Sequence, residues 1–378
     1  MAEGHERIAT AFRGPEFREK LKLAEDEARV LTELEAFFGA NQEVKPYTED
    51  EARETERKLE LLKEAYGLDG VLGVVTSPFT QTYVRKAMPP NIRKRFFTEM
   101  YYQVGDRPVQ MLQEFEQNTI HVGEDGSISA EDRQRMEDLL RNRVGLLVGG
   151  GPGYPTDVSR TPLLLAIEQA LRDKTAAAGL CLGHQDLAHL AGFDLVPGSV
   201  SAGAQVETPT AAGRQHPVVG RLGERIGAVA FHSAEVQYKQ GAGVTILSTG
   251  ASTGGAPVSL LYGSAFEAPD QVMSTQHHPE VDTGVVPGQN VELTPTEEIL
   301  DVEGKRLVIP AGIPVGQAAI VRYGASNWEK FRAIGMRPED LQDVIRPERL
   351  FPLLGRNFIG PTIDWLATTR LKNLRGEK

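Results

Sequence analysis

The stretch from residue 141 to residue 192 constrains this chain more than any other. RNRVGLLVGGGPG, at 141–153, is a short apolar run closed by glycines. TPLLLAIEQALRDK, at 161–174, reads as an amphipathic helix. AAAGLCLG, at 176–183, is a second buried run, and HQDLAHLAG, at 184–192, a second helix closed by Gly192. Strand, helix, strand, helix predicts βαβ units and a mostly parallel sheet flanked by helices, an α/β fold.

The same pattern extends in both directions. GVLGVVTSPF, from about residue 70, reads as an earlier buried strand. GAVAFHS (227–233), VTILST (244–249), PVSLLYG (257–263) and QVMSTQHH (271–278) are later strand candidates. Residues 1–68 are charged and helical in pattern, and are expected to form a helical hairpin as an N-terminal extension. Its second helix, TEDEARETERKLELLKEAYG, has Thr48 as N-cap, Glu51 three residues on, and Gly67 as its stop. Residues 69–283 carry the predicted catalytic domain. Residues 284–378 read as a C-terminal α+β extension serving as lid, partner-docking or substrate-binding element. In it, KRLVIPAG and GQAAIVRYG are strand candidates, while NWEKFRAIG, RPEDLQDVI and TIDWLATTRLKNL are helical.

Charge and cysteine content narrow the function classes. The net charge of -11 leaves no basic stripe for nucleic acid. No apolar stretch reaches the roughly 18 residues that a spanning helix needs, and the N-terminus lacks the apolar run of a secretory signal. A cytoplasmic protein with no membrane partner is the expectation. The single cysteine rules out an internal disulfide and any multi-cysteine zinc site.

That cysteine sits in GLCLGHQ (179–185), between glycines, where an apolar strand ends and a helix begins. This is the pattern of a nucleophile elbow. The turn is too sharp for flanking side chains, and the sulfur projects from it. The positive end of the helix favours negative charge on the sulfur, and the Leu182 N–H faces the place where an oxyanion would form. The bland alternative is a small buried core cysteine. About a hundred residues downstream, TQHHPEV (275–281) sets His277 and His278 side by side, with Glu280 two residues on. Strand alternation lets only one of the two histidines face the cysteine. It also argues against joint chelation by the pair, and His184 and His189 are five apart rather than the three or four that share a helical face, so no metal is expected.

GLCLGHQ resembles the cysteine motif of the class I (triad-type) glutamine amidotransferases, and HPE at 278–280 resembles their His-Pro-Glu motif. GGGPGYP (149–155) resembles their glycine-rich oxyanion loop. FHS (231–233) is similar to the His-Ser segment of the anthranilate and aminodeoxychorismate synthase glutaminase subunits. The four motifs occur in the family's order over about residues 70–281. The resemblance implies a flavodoxin-like fold with Cys181 as nucleophile, His278 as its base and acid, and Glu280 orienting His278. It implies an oxyanion hole of the Gly151 and Leu182 N–H groups. Gly153, Gln185, His232 and Ser233 match positions that hold the glutamine substrate. No cofactor is implied. Two positions depart from the family pattern, His277 replacing an aromatic residue and Val281 a small one, and Gly149–Gly150 stands where the closest subfamily has a Ser-Pro pair. His277 is expected to point away from the cysteine and to be replaceable.

Three functions fit these residues. The first is an amidotransferase that hydrolyses glutamine and supplies ammonia to an acceptor on a partner synthase. No Walker-type loop for an acceptor reaction is found in the chain. The second is a stand-alone cysteine amidase or acyl transferase acting on another amide, with the extensions forming its pocket. The third is a scaffold whose triad is idle. The first is the leading expectation and the second the alternative to it; either amide cleavage needs a thiolate, an imidazolium to protonate the poor leaving group, and a carboxylate to hold the imidazole.

Overall fold

A computed structural model describes residues 45–76, 84–85, 87–105, 118–151, 153–237, 243–250, 257–262, 270–279, 296–311, 325, 328–332, 338 and 354–377. Ten strands form one sheet: β1 (Val71–Val75), β2 (Phe97–Val104), β3 (Thr119–Val122), β4 (Gly145–Val148), β5 (Ala176–Leu180), β6 (Asp194–Pro209), β7 (Ile226–Gln237), β8 (Val244–Gly250), β9 (Pro257–Tyr262) and β10 (Val272–Thr275). Their order is β3-β2-β1-β4-β5-β10-β9-β8-β6-β7. The run from β3 to β10 is parallel throughout. The run from β10 to β7 is antiparallel. Within the parallel part, β2-β1-β4-β5-β10 is the flavodoxin-like order, with β3 added at the edge. The antiparallel strands are an insertion between β5 and β10 that continues the same sheet.

The helices are α1 (Glu49–Tyr66), α2 (Pro90–Phe96), α3 (Ala130–Leu140), α4 (Thr161–Arg172), α5 (Leu182–Leu190), α6 (Ala211–Gln215), α7 (Trp328–Arg332) and α8 (Leu354–Arg375). Strand alternation sends neighbouring residues to opposite faces. Leu147, Ala176 and Ala178 pack with Leu59 and Leu62 of α1 and with Phe358, Ile363 and Leu366 of α8. Leu146, Val148 and Ala177 pack with Met136 of α3, Leu163 and Ile167 of α4, and Leu187 of α5. Both faces of β1, β4 and β5 are therefore covered, which is why these strands are uniformly apolar runs.

The expected second helix of the N-terminal extension is α1, with the anticipated ends. The Thr48 hydroxyl accepts from the Glu51 N–H, the Glu51 carboxylate reaches back to the Thr48 N–H, and Gly67 closes the helix in the left-handed conformation. The first helix of the expected hairpin lies outside the described residues. α1 packs on α8: Lys58 Nζ lies 2.8 Å from Asp364 Oδ1, and the Tyr47 N–H donates to Asn357 Oδ1 at 2.6 Å. Two helices about 300 residues apart in sequence, α1 and α8, thus share one face of the sheet. A separate hairpin, β11 (Glu298–Val302) and β12 (Lys305–Ile309), follows the sheet; β12 falls in KRLVIPAG as expected. GQAAIVRYG lies outside the described residues. Among the described residues no helix is long and apolar enough to cross a membrane.

Candidate active site

The elbow is built by close backbone packing. A Cβ on Gly183 would stand 2.1 Å from the Val148 carbonyl oxygen, so only glycine lets α5 press this tightly onto β4. Between β5 and α5, Cys181 takes φ 50 and ψ -107, a conformation that costs a non-glycine residue roughly 1–3 kcal/mol. Its N–H donates to the Thr275 carbonyl at 2.9 Å, tying the turn to β10, and its carbonyl accepts from the Gln185 N–H at 3.1 Å, opening the helix. The thiol is buried, with the residue 6% exposed.

The expected strand 271–278 is shorter than the sequence suggests. β10 ends at Thr275 and the chain bends at 276–277, although the Gln276 N–H still donates to the Val258 carbonyl of β9 at 3.0 Å, in register with that ladder. The two histidines lie just beyond the strand and turn to different partners. His278 turns toward the cysteine. A Cβ placed on Gly150 would lie 2.8 Å from His278 Cε1 and 3.2 Å from Cys181 Cβ, so those two atoms are no more than about 6 Å apart over bare glycine backbone.

The glycine loop crosses the carboxyl end of β1. The Gly149 N–H donates to the Val74 carbonyl at 3.0 Å, and Thr76 Oγ1 donates to the Gly150 carbonyl at 3.0 Å. Gly151 backs directly onto Thr76. This is the point between β1 and β4 where the strand order reverses, the usual crevice of open α/β sheets. Gly153 has φ 108, and the Asp157 carboxylate holds the following turn by accepting from the Tyr154 N–H at 2.7 Å. Leu182 opens α5, so its N–H has no acceptor within the helix.

Of the other expected site residues, Gln185 is buried, and its Nε2 donates to the Ala234 carbonyl at 3.1 Å and to Gln276 Oε1 at 3.4 Å. His232, in β7, stacks on His277 with ring centroids 5.9 Å apart. Ser233 belongs to β7, but its side chain, like Glu280, lies outside what the structure describes.

His277 is buried and anchored: its Nδ1 lies 2.9 Å from Glu207 Oε1, and Ser248 and Ser259 donate to the other carboxylate oxygen. His184, one turn into α5, pairs through Nδ1 with Ser274 Oγ at 2.8 Å. Burial, then the neighbouring His232 and His277, pushes His184 down to about 3. Burial, then His277, pushes His232 down to about 4. A fully buried pair joins the glycine-loop side to α5: Arg160 Nε donates to Asp186 Oδ1 at 3.0 Å, with Nη2 on Oδ2. Burial raises the Asp186 carboxyl, and Arg160 opposes that rise. Among the described residues no three His, Cys, Asp or Glu side chains converge to hold a metal ion.

Sequence reasoning missed three of these features. Gly150 was read only as part of a loop, Glu207 carries no local signal in its strand, and Arg160 and Asp186 meet only in three dimensions. A charged residue on the buried side of α5 was the one clue to the last.

Residues 100–290, just over half of the chain, match the family model of glutamine amidotransferase class-I. Among solved structures, the chain is similar to a glutamine amidotransferase from Thermotoga maritima, at 13% identity over 81% of this chain and 97% of that one, TM-score 0.37. It is similar to a glutamine amidotransferase from Methylobacillus flagellatus, at 16% identity over 57% and 71%, TM-score 0.38. It is also similar to the glutaminase domain of CTPS from Trypanosoma brucei with bound acivicin, at 13% identity over 56% and 86%, TM-score 0.39. A search of curated proteins returned no match.

Proposed function

The chain belongs to the class-I glutamine amidotransferase family, and from that premise we propose that it hydrolyses the side-chain amide of glutamine and supplies the ammonia to an acceptor on a partner synthase. The observation that carries this reading is the approach of His278 and Cys181 over Gly150. In the proposed reaction His278 takes the Cys181 proton, and the sulfur attacks the amide carbonyl. The Leu182 and Gly151 N–H groups hold the oxyanion, each such donor being worth about 3–4 kcal/mol of barrier. The imidazolium returns its proton to the leaving nitrogen, and a glutamyl thioester remains on Cys181. Water, deprotonated by His278, then releases glutamate. Glu280 is assigned the role of orienting His278, and Gly153, Gln185, His232 and Ser233 the holding of glutamine.

The likeness to the anthranilate and aminodeoxychorismate synthase subunits rests on Phe231, His232 and Ser233 and is part of this proposal. So are a cytoplasmic site of action and the division of the chain at residues 68 and 283. Because α8 fills one face of the sheet, contact with a partner is assigned to other parts of the extensions.

Mass spectrometry of Cys181 after incubation with glutamine or a glutamine-mimicking electrophile tests the site. A covalent adduct on Cys181, lost in His278→Ala, is expected, together with glutamate release by the wild type. A folded wild type that forms no adduct and releases no glutamate with any candidate partner overturns the proposal.

A further inference from the structure

The oxyanion donor assigned to Gly151 belongs to the peptide that joins Gly150 to Gly151. With no Cβ on either side, that peptide can rotate at little steric cost. A donor speeds the reaction only if it already points to the place where negative charge develops. Some other group must therefore fix the direction of the peptide.

Thr76 is placed to do so. It follows directly on β1, a strand paired on both sides and buried along its whole length. Its Oγ1 donates to the Gly150 carbonyl at 3.0 Å. The same side chain presses on the next residue: a Cβ on Gly151 would stand 2.3 Å from Thr76 Oγ1 and 3.0 Å from Thr76 Cβ. One residue earlier, the Gly149 N–H donates to the Val74 carbonyl at 3.0 Å. The end of β1 thus grips three consecutive glycines. A peptide unit is planar and trans, so its N–H points away from its C=O. Holding the Gly150 carbonyl on Thr76 therefore turns the Gly151 N–H to the opposite side. Branching at Cβ restricts the Thr76 side chain to few rotamers, which keeps the hydroxyl in place. Cys181 and His278 meet at the same glycine, where a Cβ on Gly150 would stand.

We propose that Thr76 is a positioning residue of the oxyanion hole: its hydroxyl holds the Gly150 carbonyl so that the Gly151 N–H faces the amide oxygen of glutamine. The proposal rests on the glutaminase reading above. Thr76 acts through the Gly150–Gly151 peptide and not on the substrate. The oxyanion exists only once the sulfur has attacked, so the hydroxyl governs turnover and not substrate binding.

Three variants of the full chain test this. Thr76→Val keeps the shape and loses the hydroxyl. Thr76→Ser keeps the hydroxyl. Thr76→Ala removes both and serves if valine does not fit. Glutamate release gives kcat and KM, and mass spectrometry gives the rate of Cys181 alkylation by iodoacetamide. In that alkylation an S–C bond forms at a saturated carbon as iodide leaves, so no oxyanion arises and the rate reports on Cys181 and His278 alone.

Removing an oxyanion donor outright costs about 100- to 1,000-fold in kcat, and freeing its direction costs less, about tenfold. That fall in kcat is expected in Thr76→Val and Thr76→Ala, with KM and the alkylation rate unchanged, and Thr76→Ser should keep most of the wild-type kcat. Wild-type kcat in the folded valine and alanine variants overturns the proposal. So does a serine variant as slow as the valine one, a higher KM at constant kcat, or slowed alkylation, which would place the effect of Thr76 on the Cys181–His278 pair. A wild type that is alkylated at Cys181 but releases no glutamate overturns the glutaminase reading, and the role of Thr76 with it.

Discussion

Cys181 and His278 converge on the one side of Gly150 where a side chain would stand: a methyl there would sit 3.2 Å from Cys181 Cβ and 2.8 Å from His278 Cε1. The absence of a side chain at Gly150 is therefore a condition of the pairing. In Gly150→Ala the imidazole must swing away, since its ring is the more movable neighbour. Displacements of about 1 Å cost on the order of 100-fold in rate. Glutaminase kcat/KM is expected to fall by at least that factor while the melting temperature changes little. Near-wild-type kcat/KM would show that the two side chains do not work together.

Gly183→Ala acts on the fold instead. Its Cβ would stand 2.1 Å from the Val148 carbonyl oxygen, a backbone atom that cannot rotate away. Overpacking of this kind costs about 1–3 kcal/mol, and α5 must lift from β4 to relieve it. Urea denaturation should show the loss directly. Unaltered stability would mean that the elbow accommodates a side chain.

The Arg160–Asp186 pair is fully buried, so its two halves are not independent. Arg160→Met strands a carboxyl and Asp186→Leu strands a guanidinium; each is expected to cost about 3–5 kcal/mol. The double variant should recover most of that loss, because no unpaired charge remains. Additive losses in the double-mutant cycle would contradict the pairing.

His184 makes stability depend on pH. Its ordinary value of 6.5 is pushed down to about 3 in the folded chain by burial, then by His232 and His277. Between those values the unfolded chain binds a proton that the folded chain does not. Stability is thus fully present above about pH 6.5 and is lost as pH falls toward 3, at about 1.4 kcal/mol per pH unit for this group. His184→Asn should reduce the acid slope of the unfolding free energy by about one proton. An identical slope would place His184 outside the buried cluster.

His277 is less dispensable than its place in the sequence suggests. In His277→Phe the buried Glu207 carboxylate keeps its two serine donors but loses the imidazole at 2.9 Å. A loss of about 1–3 kcal/mol is expected, read by thermal or chemical denaturation. A stable His277→Phe protein would return His277 to the status of a free position.

What could be read from the sequence depended on how local each feature is. α1 was legible to its ends because Thr48, Glu51 and Gly67 act on backbone groups within a turn of themselves. β1, β4 and β5 were legible as apolar runs because both of their faces are covered. β2 was not seen: Phe97–Val104 interrupts its apolar residues with Thr98, Glu99 and Gln103, and buried Glu99 pairs with Arg85 at 2.9 Å and accepts from the Tyr101 hydroxyl at 3.2 Å. β6 was masked by Pro197, and it runs on only through a bulge between Pro197 and Ser201. α3 did carry a signal, Ser129 capping the Asp132 N–H, that the apolar pattern alone did not reveal.

By itself, the sequence determined the elements of the site: a cysteine between glycines on a strand–helix turn, a glycine loop, and a histidine pair beyond a later strand. Each follows from the backbone conformations and spacings its own residues allow. Tertiary structure alone decided which elements meet. The pairing of β5 with β10, Leu180 opposite Thr275, brings His278 to Cys181 across about a hundred residues of intervening chain. Just beyond β10, His277 reaches Glu207 and His278 reaches Gly150. These partners are selected by shared burial and backbone pairing between distant segments, and no local stretch of sequence holds both halves of such a contact.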